Sequence, residues 1–511
     1  MSALTEKDKT HGEDLPSTSV YGNLRYPPHY AWDCSSIMRQ LYKTSMLSLA
    51  LASPLTWSMD LQQAYELALS NDPDWSSTVE NYHATQETSL QARSALLPNF
   101  SANASISSNH IDPTEPIPSF GLYNRTYTDK TYGVQAMQPL FNADAWHGYH
   151  LAKALTSQAQ ANFANDEQQF ILNIATTYFN VLRARENLAY AQAQELAIGR
   201  QLAQTKKRFE VGMVSITEVH EAQAAYDSSV ADRISAETQV STSEENLFTM
   251  TSKHDDQLAV LRSDAPVTEP PEGNESSWIN KATEDNPRTI AARYAYQAAQ
   301  ETTRQQRSDY LPNLALVGNW QDVNTGGANP LSDGKNSSVA LQLSVPIYSG
   351  GLTQSKVRQA LAHEYAARDQ LAYAQRLAIQ DTHNSYLTVT TDAARVKARQ
   401  QAVSSSQSAL IATQAGYDVG TRDIVEVLQA QRDLYASKSA YANARYDYVL
   451  DGLRLKAAAG ELSAVDIAHL NRWLDPEASI SVNSLNPEIN APQEPVAVPG
   501  GAHPGSLRRH Q

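Results

Sequence analysis

The chain has 511 residues, a formal net charge of −15 at pH 7 and 41% hydrophobic residues, which is enough apolar material to bury an ordered core. No stripe of lysine and arginine offsets the acidic balance, so we exclude a nucleic-acid partner, because phosphate binding depends on such clusters. Downstream of residue 58, no segment approaches the ~20 apolar residues that a membrane-spanning helix requires. If the chain crosses a membrane, it must do so with strands.

The N-terminal region has the layout of an exported leader, in which basic residues precede a short apolar run at 46–55 and small residues follow it. We predict that translation starts at Met38, that residues 38–58 are a signal peptide and that residues 1–37 are a non-native extension. A genuine N-terminal extension is the alternative. The only cysteine, Cys34, lies upstream of the leader, so we expect neither disulfides nor thiol chemistry in the mature protein.

Two matching series of motifs indicate an ancient duplication. Each series opens a helix with an acidic or amide residue before proline, at Asp72 and at Asn286, and continues through a Leu-Pro-Asn turn to a Val-Gly pair. We predict a first structural repeat over 59–265 and a second over 266–475, each with a helix, two strands and two long helical stretches. Residues 476–511 show no apolar periodicity and are predicted to be a disordered tail.

Four short segments alternate apolar and polar residues in the manner of half-buried strands, with one face toward lipid or a core and the other toward water. They lie near 99–108, 131–140, 314–322 and 337–346. Four strands cannot close a barrel, and open edges are not tolerated in lipid. Oligomerisation is therefore required if the strands cross a membrane. A small soluble sheet beside a helical bundle is the alternative.

The longest predicted elements are two helical hairpins, over 143–251 and 351–460. No proline occurs between Pro139 and Pro266, and both stretches are rich in strong helix formers. A helix of ~60 residues would be ~90 Å long. Because the apolar positions are mostly alanine and other small residues, one hairpin alone would be held weakly. We therefore expect neighbouring hairpins from other subunits.

The segment 415–446 resembles the TolC family of outer-membrane efflux and secretion ducts. It opens with Ala-Gly-Tyr-Asp-Val-Gly-Thr-Arg, and the Pro-Ile-Tyr-Ser-Gly-Gly run at 346–351 also matches the family. The resemblance covers about residues 59–475. It implies a mainly α fold with β, namely a homotrimeric duct in which four strands per protomer contribute to a 12-stranded outer-membrane β-barrel. The coiled-coil hairpins would form a periplasmic α-barrel.

The resemblance also implies a function and partners. The chain would be the outer-membrane channel of a tripartite efflux pump, passively conducting drugs and other small molecules, as in multidrug resistance. Its partners would be a periplasmic adaptor (membrane fusion) protein, an inner-membrane transporter of RND, MFS or ABC type, and outer-membrane lipid. The exit duct of a type I protein secretion system is one alternative. A non-pore periplasmic coiled-coil scaffold is an alternative from a different class.

Candidate site residues lie near the predicted hairpin tips. Gly212 and Gly420 should end the helices, because glycine adopts positive φ without penalty. By resemblance, Glu426 faces the pore entrance, where three copies would form an acidic ring that attracts cations. Without the resemblance, a solvated carboxylate on a helix face is favoured. Gln429 stands where the family has a second acidic position, which predicts weaker cation binding.

Four further residues match positions that, in the family, link the inner and outer coiled coils and hold the duct shut: Tyr417, Arg422, Thr217 and Glu218. Hydrogen bonds among them would each contribute ~1–3 kcal/mol. A few such bonds per subunit could bias a closed state without locking it. Glu218 replaces a shorter Asp of the family, so its geometry is expected to differ.

The sequence shows no recognisable catalytic or cofactor motif. His220 lacks the second histidine of a zinc-binding helix, and Gly334 lacks the rest of a phosphate-binding loop. His147 and His150 are one turn apart, but no further ligand lies nearby, so exposed helix histidines are expected. We predict that the chain is not an enzyme and that it holds no metal or cofactor.

Overall fold

The computed structural model describes residues 58–112, 114–115, 124–254, 257–267, 273–326, 333–478 and 480. All of them belong to one of the two units of the chain, Trp57–Gln511. The predicted extension 1–37, the signal peptide up to residue 57, Cys34 and nearly all of the predicted tail lie outside the described residues.

The elements of the described chain follow in this order: α1 (Leu61–Asn71), α2 (Pro73–Ser94), β1 (Asn99–Ile111), β2 (Arg125–Phe141), α3 (Ala143–Glu210), α4 (Ile216–Thr251), β3 (Val260–Leu261), α5 (Glu275–Asp285), α6 (Pro287–Ser308), β4 (Asn313–Asn324), β5 (Gly334–Ser344), α7 (Leu352–Asp418), α8 (Ile424–Ala459), α9 (Ala464–Asn471) and β6 (Leu474–Asp475).

The two halves correspond element by element, except that α9 has no counterpart in the first half. Helices α2 and α6 have 22 residues each, α3 and α7 have 68 and 67, and α4 and α8 have 36 each. The caps correspond as well, since the side chains of Asp72 and Asn286 accept hydrogen bonds from backbone N–H groups two residues on, both at 2.9 Å, and proline follows each cap. Such agreement is what a duplication leaves.

The long helices pack as two hairpins, which we call the first hairpin (α3 and α4) and the second hairpin (α7 and α8). Helix α3 also packs against α2 and α6, and α7 also packs against α6. Each long helix is therefore packed against several shorter ones. At 1.5 Å per residue, a helix of 68 residues is ~100 Å long.

Strands β1, β2, β4 and β5 form one antiparallel sheet in the order β1-β2-β4-β5, so β1 and β5 are its edges. Strand β2 begins six residues before the predicted segment, and β5 ends at Ser344, just before Val345 and Pro346. Proline cannot donate a hydrogen bond to a strand ladder, which accounts for that end.

The register of this sheet collects most of the apolar residues of its four strands on one face, whereas Met137, Val317 and Ala340 form a row of the opposite face. One row across the sheet is Phe100, Ala136, Gly318 and Val339, and the neighbouring row of the opposite face is Ser101, Gln135, Asn319 and Ser338. Directly opposed residues of an antiparallel sheet point to the same side. The sheet thus has one mainly apolar and one mainly polar face.

The largest core cluster surrounds the middle of α3, where α1, α9 and the short β3–β6 pair pack beside α8. The Tyr178 hydroxyl lies 3.1 Å from the carbonyl oxygen of Met59 and 2.8 Å from that of Ala259. This buried contact fixes the start of the described chain against the long helix. Most of the remaining length of the rods has no such core around it.

The predicted fold class is confirmed, since the chain is mainly helical, with long hairpins and a sheet of four strands. The first hairpin lies within the predicted range 143–251, and the second within 351–460. None of the helices in the described ranges is long and apolar enough to cross a membrane.

Candidate functional site at the hairpin tips

The first hairpin turns back at Gly212, which follows the C-cap of α3 with φ of 73°. The Met213 N–H donates to the Arg208 carbonyl at 2.8 Å, and the Gly212 N–H donates to the Phe209 carbonyl at 2.9 Å. This pair of bonds is a Schellman motif, which satisfies the last carbonyls of a helix and requires a left-handed residue.

The second hairpin turns back in the same way at Gly420, with φ of 80°. The Thr421 N–H donates to the Gly416 carbonyl at 2.8 Å, and the Gly420 N–H donates to the Tyr417 carbonyl at 3.1 Å. Gly416 has a second role, because a Cβ there would lie 2.6 Å from Cγ of Arg422. The two tips are equivalent turns in the two halves of the chain.

Close to the tips, the two hairpins meet in a small apolar cluster, which we call the tip cluster. Both hairpins contribute four residues, and the members are Ile198, Leu202, Ala222 and Ala225 from the first, and Tyr417, Ile424, Val427 and Leu428 from the second. All eight are buried. The tip cluster therefore holds the hairpins of one chain side by side, since separating them would expose its apolar surface.

Arg208 crosses from the first hairpin to the second beside the tip cluster. Its guanidinium carbon lies 4.8 Å from the centroid of the Tyr417 ring, and its Nη2 donates to Oδ1 of Asp418 at 3.1 Å. The Arg208 side chain is 24% exposed and that of Asp418 is 50% exposed. Arg208 was not among the site residues predicted from the sequence. The only feature of the sequence that marked it was its place in the last turn of a helix, where a positive charge interacts favourably with the helix dipole.

The four predicted link residues are not joined to one another in this chain. The Tyr417 hydroxyl is buried without a hydrogen-bond partner, and Thr217 is exposed. Glu218 instead closes a capping box at the start of α4, where its Oε1 accepts from the Ser215 N–H at 3.3 Å. Within the described ranges, no hydrogen bond connects Tyr417 or Arg422 with Thr217 or Glu218.

Glu426, the predicted entrance acid, lies in the first turn of α8 and accepts a hydrogen bond from Nη1 of Arg422. Both side chains are partly exposed. Gln429 is exposed and donates from Nε2 to Oδ1 of Asp433 at 2.9 Å. Asp433 was not among the site residues predicted from the sequence. Its spacing of one turn from Gln429 on the same helix could have revealed it.

Away from the tip, α7 and α8 share a buried acidic pair, Asp392 and Asp451. Arg395 pairs with Asp392, and Arg454 Nη1 lies 2.6 Å from Oδ1 of Asp451. Burial, and then the neighbouring carboxylate of Asp451, raise the pKa of Asp392 to about 7. Oδ2 of Asp392 is buried without a hydrogen-bond partner, so a proton on this atom would relieve the repulsion between the two carboxylates.

The histidines considered as a metal site do not converge. His147 Nδ1 lies 3.1 Å from Oε2 of Glu301, and the His150 ring packs edge-on against Trp146 with centroids 5.1 Å apart. The expectation that both are exposed is wrong, because both are half-buried in these contacts. In the part of the chain that the structure describes, no group of three or more metal-binding side chains occurs.

Three comparisons with known proteins agree on one family. The model of the family described as outer membrane efflux protein matches residues 64–252 and 278–461. Outer membrane protein TolC of Vibrio cholerae is 35% identical over 435 residues, which cover 84% of this chain and 96% of the relative.

Two further similarities are more distant. Alkaline protease secretion protein AprF of Pseudomonas aeruginosa is 26% identical over 416 residues, covering 80% of this chain and 86% of the relative. Among solved structures, the CmeC outer membrane channel of Campylobacter jejuni gives a TM-score of 0.69 at 16% identity, covering 84% of this chain and 88% of that one. This last likeness shows the fold.

Proposed function

The chain belongs to the family of outer membrane efflux proteins, and from this premise we propose that it is the passive exit duct of a tripartite efflux pump for drugs and other small molecules. It is an outer-membrane protein with a periplasmic extension. Channels of this family are trimeric and work with components of efflux or secretion pumps. The family consists of ducts and not of enzymes.

The observation that carries the proposal is the register of the four-stranded sheet. Its apolar face is exposed, with Phe100 74% and Val339 78% accessible on the two edge strands. An exposed apolar face suits lipid, whereas the edges carry unpaired backbone groups that lipid cannot satisfy. Copies of the same sheet, joined edge to edge between β1 and β5, satisfy both requirements. Three copies would give twelve strands, an even number as in bacterial barrels.

The helical part supports the same assembly. Helix α2 has no buried residue in a single chain, and α7 exposes Tyr365, Tyr373 and Ile411. A rod with large apolar side chains in water needs a neighbour to cover them. Because α2 and α7 belong to opposite halves of the chain, a second copy can supply the missing contact in a closed ring. A scaffold without a pore explains these rods but not the two-faced sheet.

The tips are the proposed contact with the rest of the pump. Val211 and Met213 are exposed at the first tip and Val419 at the second. Exposed apolar residues at the end of ~100 Å rods are suited to a protein partner. We assign this position to a periplasmic adaptor, which in turn would connect the duct with an inner-membrane transporter of the RND, MFS or ABC type.

The entrance would carry negative charge. Glu426 and Asp433 lie on α8, each about one helical turn from Gln429. Three copies of these two carboxylates would face one another across a narrow mouth and attract cations. Arg422 offsets part of this charge because it pairs with Glu426. The loss of an acid at Gln429 also lowers the expected cation affinity.

The proposal is tested by single-channel recording of the purified, detergent-extracted chain in a planar bilayer. Small steady currents, blocked by divalent cations added on the side of the tips, are the expected result. If the protein neither inserts into the bilayer nor conducts current, the result would contradict a duct and favour a periplasmic scaffold without a pore.

Similarity to a secretion protein keeps the exit duct of type I secretion as the second candidate. The full chain should be expressed in a Gram-negative strain that lacks its own duct of this family, and drug tolerance and secretion of a type I protein substrate should both be measured. Restored drug tolerance supports the efflux proposal, whereas restored secretion alone replaces it with the second candidate.

A further inference from the structure

We propose that Arg208 is the gating residue that fastens the second hairpin to the first in the closed duct, by holding Tyr417 through its ring and Asp418 through its carboxylate. This inference rests on the proposed function, because a gate has meaning only in a duct. It assigns the closed state to residues other than the hydrogen bonds that the family resemblance implied.

Arg208 bridges the hairpins through charge at their tips, whereas the ion pair of Arg183 and Asp447 joins them further from the tips. Arg208 belongs to the last turn of α3, whereas Tyr417 and Asp418 end α7. The guanidinium carbon lies 4.8 Å from the ring centroid of Tyr417, and Nη2 lies 3.1 Å from Oδ1 of Asp418. Arg422, a cation of the second tip, pairs instead with Glu426 of the same tip.

The surroundings strengthen one of the two contacts. Tyr417 is 6% exposed and belongs to the tip cluster, so the ring that faces the guanidinium is largely desolvated. A cation over an aromatic ring gains strength when water is excluded. The Asp418 carboxylate is half exposed, so its pairing with Arg208 contributes less by itself. Asp418 mainly orients the guanidinium across the gap between hairpins.

Arginine suits this position better than lysine. The planar guanidinium can lie over a ring with its face while it donates from its edge to a carboxylate, whereas an ammonium group on a flexible stem cannot do both in a fixed geometry. Gln414 also lies near Asp418, with its Nε2 donating to Oδ1 at 3.4 Å. The carboxylate is thus held from its own helix and from the first hairpin.

The test is the mean single-channel conductance of the full chain in planar bilayers. Arg208→Glu places two acids opposite each other and removes the cation from the Tyr417 ring, so we expect a rise of at least about three-fold. Asp418→Arg should also raise the conductance, through repulsion between two arginines. The double exchange, Arg208→Glu with Asp418→Arg, removes the repulsion and restores the ion pair but not the cation over the Tyr417 ring, so its conductance should fall part of the way back toward the wild-type value.

Lys207→Glu is the matched control, because Lys207 is exposed and adjacent to Arg208 in sequence. This substitution changes the net charge by the same amount as Arg208→Glu. Its conductance should stay close to that of the wild type. Heat-sensitive oligomer bands on gels verify that each variant still assembles. If the wild type conducts but Arg208→Glu is no more conductive than Lys207→Glu, the inference about Arg208 is overturned while the proposed duct function stands. A double exchange as conductive as the single variants would do the same. A wild type without any current would instead contradict the proposed duct.

Discussion

The carboxylate of Glu426 accepts a hydrogen bond from the guanidinium of Arg422, one helical turn earlier at the tip of the second hairpin. The family resemblance assigned these residues to two separate tasks, a charged entrance and a gating link. Their pairing connects the tasks, because a movement that changes the position of Arg422 also changes how much negative charge Glu426 presents. The pair is partly exposed, so its net contribution to stability is small.

Removing the arginine should therefore strengthen cation block. We expect Arg422→Ser to lower the concentration of divalent cation that blocks the current from the tip side, because three unpaired Glu426 carboxylates would then face the proposed mouth. Glu426→Ala should have the opposite effect. The measurement is the half-blocking concentration in planar bilayers, and Arg368→Ser, in an exposed pair further along α7, is the control. If Arg422→Ser and the wild type have the same half-blocking concentration, Glu426 does not lie on the conducting path.

The Tyr417 hydroxyl should be dispensable, whereas its ring should not. The hydroxyl is buried without a partner, so Tyr417→Phe removes an unsatisfied polar group and should leave stability unchanged or raise it by about 1 kcal/mol. Tyr417→Ala removes the ring from the tip cluster and should cost about 3–5 kcal/mol. Thermal unfolding and bilayer conductance check both. A Phe variant that conducts as much as the Ala variant would show that the hydroxyl has a partner in the assembled duct.

The Asp392 carboxyl should make stability depend on pH with an unusual sign. Its pKa in the folded chain is raised to about 7, so the folded state binds a proton between that pH and the ordinary value of an aspartate, and the unfolded chain does not. The contribution of this group to the free energy of unfolding therefore rises as pH falls through that window, by up to about 4 kcal/mol. Asp392→Asn should remove this dependence.

The check is a series of thermal melts between pH 4 and pH 8, compared between the wild type and Asp392→Asn. Only the difference between the two series is informative, because other carboxylates titrate in both. Asp369→Asn, an exposed aspartate on the same helix, is the matched control and should run parallel to the wild type. A constant difference between wild type and Asp392→Asn across the range would contradict the raised pKa.

The two faces of the sheet should respond differently to charge. Val339 lies on the apolar face and its neighbour Ser338 on the polar face of β5. Arginine on the lipid side of a barrel costs about 2–4 kcal/mol near the middle of the bilayer. We expect Val339→Arg to reduce membrane insertion and oligomer yield, and Ser338→Arg to be tolerated. Recovery of protein in outer-membrane fractions is the measurement, and equal yields would overturn the assignment of the lipid-facing side.

Local sequence patterns were sufficient to predict an element or a turn where a single type of residue determines the local structure. The long helices follow from stretches without proline, and Gly212 and Gly420 lie where a left-handed residue is needed. The first six residues of β2 were missed because Arg125 and other charged residues obscure the alternation there. Ser215 and Glu218 have the spacing of a capping box, so the local role of Glu218 was readable and was overlooked.

Contacts between distant segments could not be predicted in this way. Arg208 and Asp418 are 210 positions apart in sequence, and no local pattern states that the two tips meet. The register of the sheet depends on four strands from both halves, although each strand showed its own alternation. Burial of Asp392 likewise depends on how α7 meets α8, so its raised pKa has no signature in the sequence alone.

Helices α3 and α7 have nearly equal lengths, 68 and 67 residues, so both halves of the chain together set how far the duct extends. Deleting seven residues from α3 alone would draw its tip back by ~10 Å and pull Arg208 away from its partners. A shortened or lengthened duct would therefore need paired deletions or insertions of whole helical turns in both hairpins, with matching changes in α4 and α8. Variation in length between such ducts should accordingly come in coupled steps.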